Sequence, residues 1–566
     1  MKFSAILLLL CYPVFGQDKP QDKAVDHLLD KIVVSEQHFL EELAKRAPLF
    51  ETYIQETSDV PGAEAQAQPV QITTEPKPTK DHYFLGRARI AANVGYEPLI
   101  EKNPVSPPEQ KNRLLGFISK PKPAAPATFF PRGFVQMAIL DLHGFNRETY
   151  KFEFVRREFL GDVRSLVFEV SPLRQETGRF VGRIWVDEHS DAIVRFNGTY
   201  VPAPPSKDAT HEVYFHFDSW RTNVQADMWI PSHIYVEEER SGTGKNATPR
   251  FKAQTRIWDY AAAPTNNLEE LTQILIESEN PVKDQAASHD VSPLESQRAW
   301  ERQAEENVLS RLEKGGFLAP KGPVDDVLNT VVDNLIITGK LNVDARCRVL
   351  LTTPLETFSI GHTIVISRGL IDVLPDEASL ALVLADELSH IALAHRTPTQ
   401  FAFYNQTMLS DAELLSRLRF ARTKQELEEA GTKTIEIMKT SPYRDTANAG
   451  LFLKALSGRT SALPNLLAAN LGNQVANADA LARLTEFTTS APELEESKLE
   501  QIAALPLGSR VKLNPYNDKI SLVETKPVSF LSAREKMPFE VTPMVPYLTF
   551  AGPTTQANPV TVSAER

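Results

Sequence analysis

Between Pro375 and Arg396 the chain reads Pro-Asp-Glu-Ala-Ser-Leu-Ala-Leu-Val-Leu-Ala-Asp-Glu-Leu-Ser-His-Ile-Ala-Leu-Ala-His-Arg, and the rest of its 566 residues must be arranged around this stretch. It reads as a mostly apolar helix. Pro375 breaks the chain before it, Asp376 is an N-cap by residue type, and Glu377 suits the first turn, where the helix dipole favours negative charge. Inside the apolar run stand Asp386, Glu387 and His390. Asp386 and His390 are four apart, about one helical turn, so both point to the same side.

A chain of 566 residues is too long for one compact core, so two or three domains are expected. With 42% hydrophobic and 24% charged residues it has the composition of a soluble globular protein. A net charge of -12 excludes phosphate-driven nucleic-acid binding, which needs a concentrated basic surface.

The N-terminus has the form of an export signal. Lys2 supplies the positive end, Phe3–Cys11 the apolar core, and Val14-Phe15-Gly16 a small-residue cleavage site before Gln17. The expected location is periplasmic or extracellular. Leu10 stands where a small residue would precede a lipidated cysteine, which argues against a lipid anchor on Cys11. No later stretch reaches the roughly 18 uninterrupted apolar residues of a membrane span. After cleavage Cys347 is the one remaining thiol, and Arg346-Cys347-Arg348-Val349-Leu350-Leu351 makes it a buried strand residue.

In chain order the reading is α+β and multidomain. After a signal peptide (1–16), Leu28, Leu29, Ile32, Leu40, Leu43 and Leu49 recur at helical spacing over 24–57, and a Pro/Ala/Gln/Thr-rich linker follows, so 17–80 is a helical arm and linker. Over 81–262 the period becomes two, with strands such as Phe152–Leu160, Arg179–Val186, Glu212–Asp218 and Met228–Glu237 separated by turn-formers. The clearest hairpin joins Gly182–Val186 to Ala192–Phe196 through Asp187–Asp191. Residues 263–300 hold a helix (Asn266–Asn280) and a second linker, 301–514 a mostly helical domain with strands at Cys347–Thr352 and Thr363–Ser367, and 515–566 a Pro-rich extension.

Asp386-Glu387-x-x-His390 differs at one position from the zinc-protease signature H-E-x-x-H, where two ligands sit one turn apart and the Glu acts on the metal-bound water. Thr357-Phe358-Ser359-Ile360-Gly361, Ile364-Val365-Ile366-Ser367-Arg368-Gly369-Leu370, Asp376–Ala381 and Leu384–His390 follow one another in order. On these residues, 324–395 resembles the zinc metallopeptidase family that includes HtpX, BepA and the CAAX prenyl protease. The resemblance implies a metal site with Asp386 and His390 as ligands, Glu387 as catalytic base and His395 as a regulatory histidine. The family's third ligand, a Glu in E-x-x-A-D, is matched by Arg444-Asp445-Thr446-Ala447-Asn448. Arg444 therefore falls at the ligand position, with Asp445 as a substitute ligand beside it. The family's Thr-His-Pro element has no counterpart; Leu505–Arg510 stands roughly there. The β-rich part resembles periplasmic lipoprotein-sorting carriers through Gly-Arg-Ile-Trp-Val-Asp and Ile-Val-Arg-Phe, which implies a concave face for acyl chains.

A catalytic zinc needs three protein ligands at about 2.0–2.2 Å. Asp386 is shorter than histidine, and Arg444 is a permanent cation with no lone pair. One expectation is therefore that Arg444 replaces the metal and pairs with Asp386 or Glu387. Three functions follow. The first is an exported, catalytically impaired peptidase relative that binds unfolded envelope polypeptides, with Thr363, Ile364, Val365, Ile366 and Ser367 as the pairing strand. The second is a working zinc metalloendopeptidase using Asp386, His390 and Asp445. The third is a carrier of lipid or lipoprotein through the β domain.

Overall fold

The computed structural model describes residues 20–57, 78–102, 129–202, 215–225, 228–238, 250–261, 293–395, 410–444, 447–475 and 507–523. The expected signal peptide with Cys11, the helix at 266–280, Asp445 and the tail beyond 523 lie outside these residues.

The chain begins with helix α1 (Pro20–Ala44) and passes at once into strand β1 (Leu49–Thr57). This corrects the reading of a helical arm over 24–57. Leu49 and Tyr53 point into one hydrophobic core, Phe50 and Ile54 into another, so β1 is buried on both faces and lacks the polar alternation that marks a strand. It pairs antiparallel with β2 (Pro78–Ile90) on one side and β10 (Phe251–Trp258) on the other. Around it lie β3 (Val94–Lys102), β4 (Tyr150–Leu160), β5 (Val163–Pro172), β6 (Phe180–Asp187), β7 (Ile193–Tyr200), β8 (Phe217–Gln225) and β9 (Met228–Glu238). The 10-stranded sheet runs β3-β2-β1-β10-β9-β8-β7-β6-β5-β4. The expected hairpin is present as β6–β7, with Ile184 opposite Phe196. Of the strand expected at Glu212–Asp218, residues 212–214 lie outside the described residues, and the strand seen there is Phe217–Gln225.

One face of the sheet carries Phe84, Phe168, Phe180, Phe196 and Phe217. Helix α1, through Leu29, Ile32 and Leu43, and the segment holding α2 (Pro131–Gln136) cover it. A cavity of about 380 Å³ remains beneath α1, beside Arg221 and Met228.

The C-terminal part contains α3 (Pro293–Lys314), α4 (Pro323–Thr338), β11 (Arg346–Leu350), β12 (Glu356–Ile360), β13 (Thr363–Ser367), α5 (Arg368–Val373) and α6 (Glu377–Ala392). It continues with α7 (Asp411–Arg417), α8 (Lys424–Thr440), α9 (Ala447–Ser457), α10 (Pro464–Leu467) and β14 (Asn473–Gln474). Its sheet has the order β11-β13-β12-β14. Gly361 closes the β12–β13 hairpin at φ +56, and a Cβ there would strike the Glu305 carboxylate. Helix α6 packs on α4, α8 and α9 and on the backs of β12 and β13.

The two parts share one core. Leu49, Tyr53, Tyr83, Leu85 and Trp258 of the large sheet belong to the same cluster as Phe317, Leu350 and Leu374. The extension expected from 515 begins inside the fold. A hairpin of β15 (Val511–Leu513) and β16 (Ile520–Leu522) returns to the sheet, where Tyr260 and Ala261 N–H groups donate to Pro515 and Tyr516 carbonyls. No helix among the described residues is long and apolar enough to cross a membrane.

Candidate active site

Helix α6 starts as its residues require. Asp376 is its N-cap, accepting from Ser379 N at 2.9 Å and from Ser379 Oγ at 2.7 Å. Before it, Ser367 caps α5 by accepting from Leu370 N, and Gly369 presses so close to Thr353 that a Cβ would lie 1.7 Å from its carbonyl oxygen. The Ser-Arg-Gly-Leu turn thus fixes how β13 hands the chain on to α6.

Glu387 and His390 are both completely buried. Glu387 Oε1 accepts from Thr357 Oγ1 of β12 at 2.9 Å and from Asn473 Nδ2 of β14 at 3.2 Å, while Oε2 has no hydrogen-bond partner. His390 Nδ1 lies 2.8 Å from His395 Nδ1, and His395 Nε2 lies 3.1 Å from Glu429 Oε2. Hydrogen bonds from Gln425 and His395 hold Glu429 below the usual glutamate range. An ionised Glu429 makes His395 donate from Nε2. His390 Nε2 is buried without a partner. Burial pushes His390 below the ordinary histidine value, and the Arg422 and His395 charges act the same way against Glu387 and Asp386.

Asp386 is half-buried at the end of the same turn. The Thr434 hydroxyl of α8 lies 3.3 Å from its Oδ1 and shares its single proton with Ala430 O at 2.8 Å. Among the described residues, no three His, Cys, Asp or Glu side chains converge so as to hold a metal ion. The described donors do not fit a catalytic zinc, which needs three.

Two sequence expectations need correcting. Arg444 is exposed, which does not fit a cation standing in for a metal between Asp386 and Glu387. Pro442 ends α8 early and leaves Arg444 on the connection to α9, off the helix face that would have aimed it inward. The cation that reaches the site is Arg422, which donates to His395 O at 3.3 Å and Ser359 Oγ at 2.9 Å. Second, Thr363–Ser367 is not an available pairing edge, because β13 is bonded to β11 on one side and β12 on the other and is buried throughout. Asp445 lies outside the described residues. His362 is an exposed loop histidine bonded to Asp344 O at 2.7 Å, and Cys347 is a buried strand thiol.

Sequence reasoning missed Arg422, Asn473 and Glu429. Each reaches α6 only through chain folding. Thr357 was visible as the first residue of the Thr-Phe-Ser-Ile-Gly phrase.

No curated protein matches the chain. A solved structure of a LolA superfamily protein from Nitrosomonas europaea is 13% identical, covering 40% of this chain and 91% of that one with a TM-score of 0.16. Residues 352–492 match the family model of peptidase family M48. The segment that builds β12, β13 and the Asp386–His390 helix is therefore a domain of peptidase family M48, set behind a large antiparallel sheet in an α+β chain.

Proposed function

We propose that this is an exported polypeptide-binding protein whose peptidase-family domain holds no stoichiometric zinc and hydrolyses its clients poorly. The observation that carries the reading is the lack of three converging metal donors among the described residues. Asp386 at a ligand position and Arg444 at the position of the third ligand point the same way. In this reading the clients are unfolded envelope proteins, supported by the form of residues 1–16, which matches an export signal.

A second reading is favoured by one observation. Glu387 Oε2 and His390 Nε2 are buried polar atoms without partners, and such atoms are costly unless a matching group meets them. That reading is a zinc metalloendopeptidase using Asp386, His390 and Asp445.

Metal analysis of the purified chain, combined with digestion of casein or an unfolded outer-membrane protein, separates the two. The expected result is no one-to-one zinc and no chelator-sensitive cleavage, with the unfolded protein still bound. One zinc per chain that disappears in His390→Ala, together with cleavage abolished by chelator, would establish the second reading instead.

A further inference from the structure

A cavity of about 550 Å³ lies where β3 of the large sheet meets the peptidase-family domain. Lys102 contributes from β3, Arg419 and Arg422 from the connection between α7 and α8, and Asn470 and Asn473 from the approach to β14. Its described lining contains three cations and no carboxylate, in a chain of net charge -12. Two of the basic residues bond neutral oxygens. Lys102 Nζ donates to Ala468 O at 2.9 Å, and Arg419 Nη1 to Leu415 O and Leu418 O. A buried carboxylate, Glu356, lies behind the wall: its Oε2 accepts from the N–H groups of Asn470, Leu471 and Gly472, its Oε1 has no partner, and its charge acts on Lys102 from inside the wall. The Asn470 amide is buried at both its oxygen and its nitrogen, and neither has a hydrogen-bond partner. An unpaired amide on a cavity wall costs free energy that a ligand with matching groups would recover.

The cavity also touches the candidate active site. Asn473 lines it and donates to Glu387 Oε1 at 3.2 Å, while its own Oδ1 accepts from Arg422 N at 2.9 Å. A group seated there is one side chain away from Glu387.

We infer that this cavity binds acidic side chains of a polypeptide, with Lys102 and Arg419 supplying the charge and Asn470 the orientation. The inference rests on the polypeptide-binding reading above and gives it a sequence preference. It also gives the fusion of the two parts a purpose, since Lys102 comes from the sheet and the other groups from the peptidase-family domain. Hydrogen bonds to charged groups outweigh neutral ones, so a carboxylate is preferred over its amide by roughly tenfold or more.

The test uses the full chain and a labelled unstructured peptide containing several glutamates, compared by fluorescence anisotropy with the same peptide carrying glutamines. The acidic peptide is expected to bind roughly tenfold more tightly, with the preference shrinking at high salt. Arg419→Ala, at an exposed position, and Lys102→Met are each expected to bring the ratio towards one. Asn470→Leu should weaken the acidic peptide without lowering the melting temperature of the free protein. Equal binding of both peptides would leave the polypeptide-binding reading standing and overturn this one. Failure of both peptides to bind would remove both. A thermal shift produced by inorganic phosphate, without preference for the acidic peptide, would make the cavity a small-anion site and overturn the proposal.

Discussion

Asp518 and Asp259 meet where the C-terminal hairpin returns to the large sheet. Asp259 N donates to Asp518 Oδ1 at 2.8 Å, while Arg87 bonds Asp259 through Nη1 and Asp411 through Nε, each at 2.9 Å. Burial, and then the Asp259 charge, holds the Asp518 carboxyl up at about 8, with Arg87 opposing. A carboxyl raised on folding adds stability that is complete below the ordinary aspartate range and is lost as pH rises through about 8. Thermal melts should therefore show the wild type losing stability between about pH 4 and pH 8 and no further loss from this group above that, with Asp518→Asn flattening the loss by roughly 2 °C or more. Identical profiles for the two proteins would show that this carboxyl does not titrate there. Single residues were legible in the sequence only where their partners are local. Asp376 bonds Ser379 three residues on, so the cap could be read directly. The inward turn expected of Arg444 depended on a helix that stops before it.

At the scale of elements, α1 is fastened to the sheet by one buried ion pair. Arg221 Nη1 and Nη2 donate to the two Glu36 oxygens at 2.7 Å each, both side chains are 1% exposed, and the guanidinium stacks 3.9 Å above the Phe39 ring. Removing one partner leaves the other charge buried and unpaired, so Glu36→Ala should cost about 3–5 kcal/mol. Joint replacement, Glu36→Leu with Arg221→Met, should cost much less, because it leaves no stranded charge. Urea unfolding of the three variants measures the difference, and a small loss in Glu36→Ala would mean that α1 is held by apolar packing alone. Helix α6 was legible for the opposite reason, as its apolar run and its cap lie within one segment. Strand β1 was not, because burial on both faces erases its period.

The whole molecule is held together by polar as well as apolar contacts between its parts. Glu51 of β1 accepts from Thr353 N at 2.6 Å and Thr353 Oγ1 at 2.7 Å. Asp81 of β2 accepts from Asn465 N at 3.0 Å and Leu466 N at 2.8 Å at the start of α10. Arg256 of β10 pairs with Asp372 of α5. With a continuous core beneath these bonds, calorimetry should record one cooperative transition with equal calorimetric and van't Hoff enthalpies. Two resolved transitions would mean that the sheet and the peptidase-family domain unfold separately.

By itself the sequence determined what depends on neighbours a few residues apart: the capped helix α6, the β6–β7 hairpin, the burial of Cys347 and the family phrases from Thr357 to His390. Tertiary structure alone decided what those residues meet. Glu387 is tied to Thr357 and Asn473 across 30 and 86 positions of chain, and His395 reaches Glu429 across 34. It also closed both edges of β13 and turned Arg444 outward. The reason is physical: periodicity and capping are short-range, whereas which donor reaches a buried carboxylate is settled only when distant segments pack.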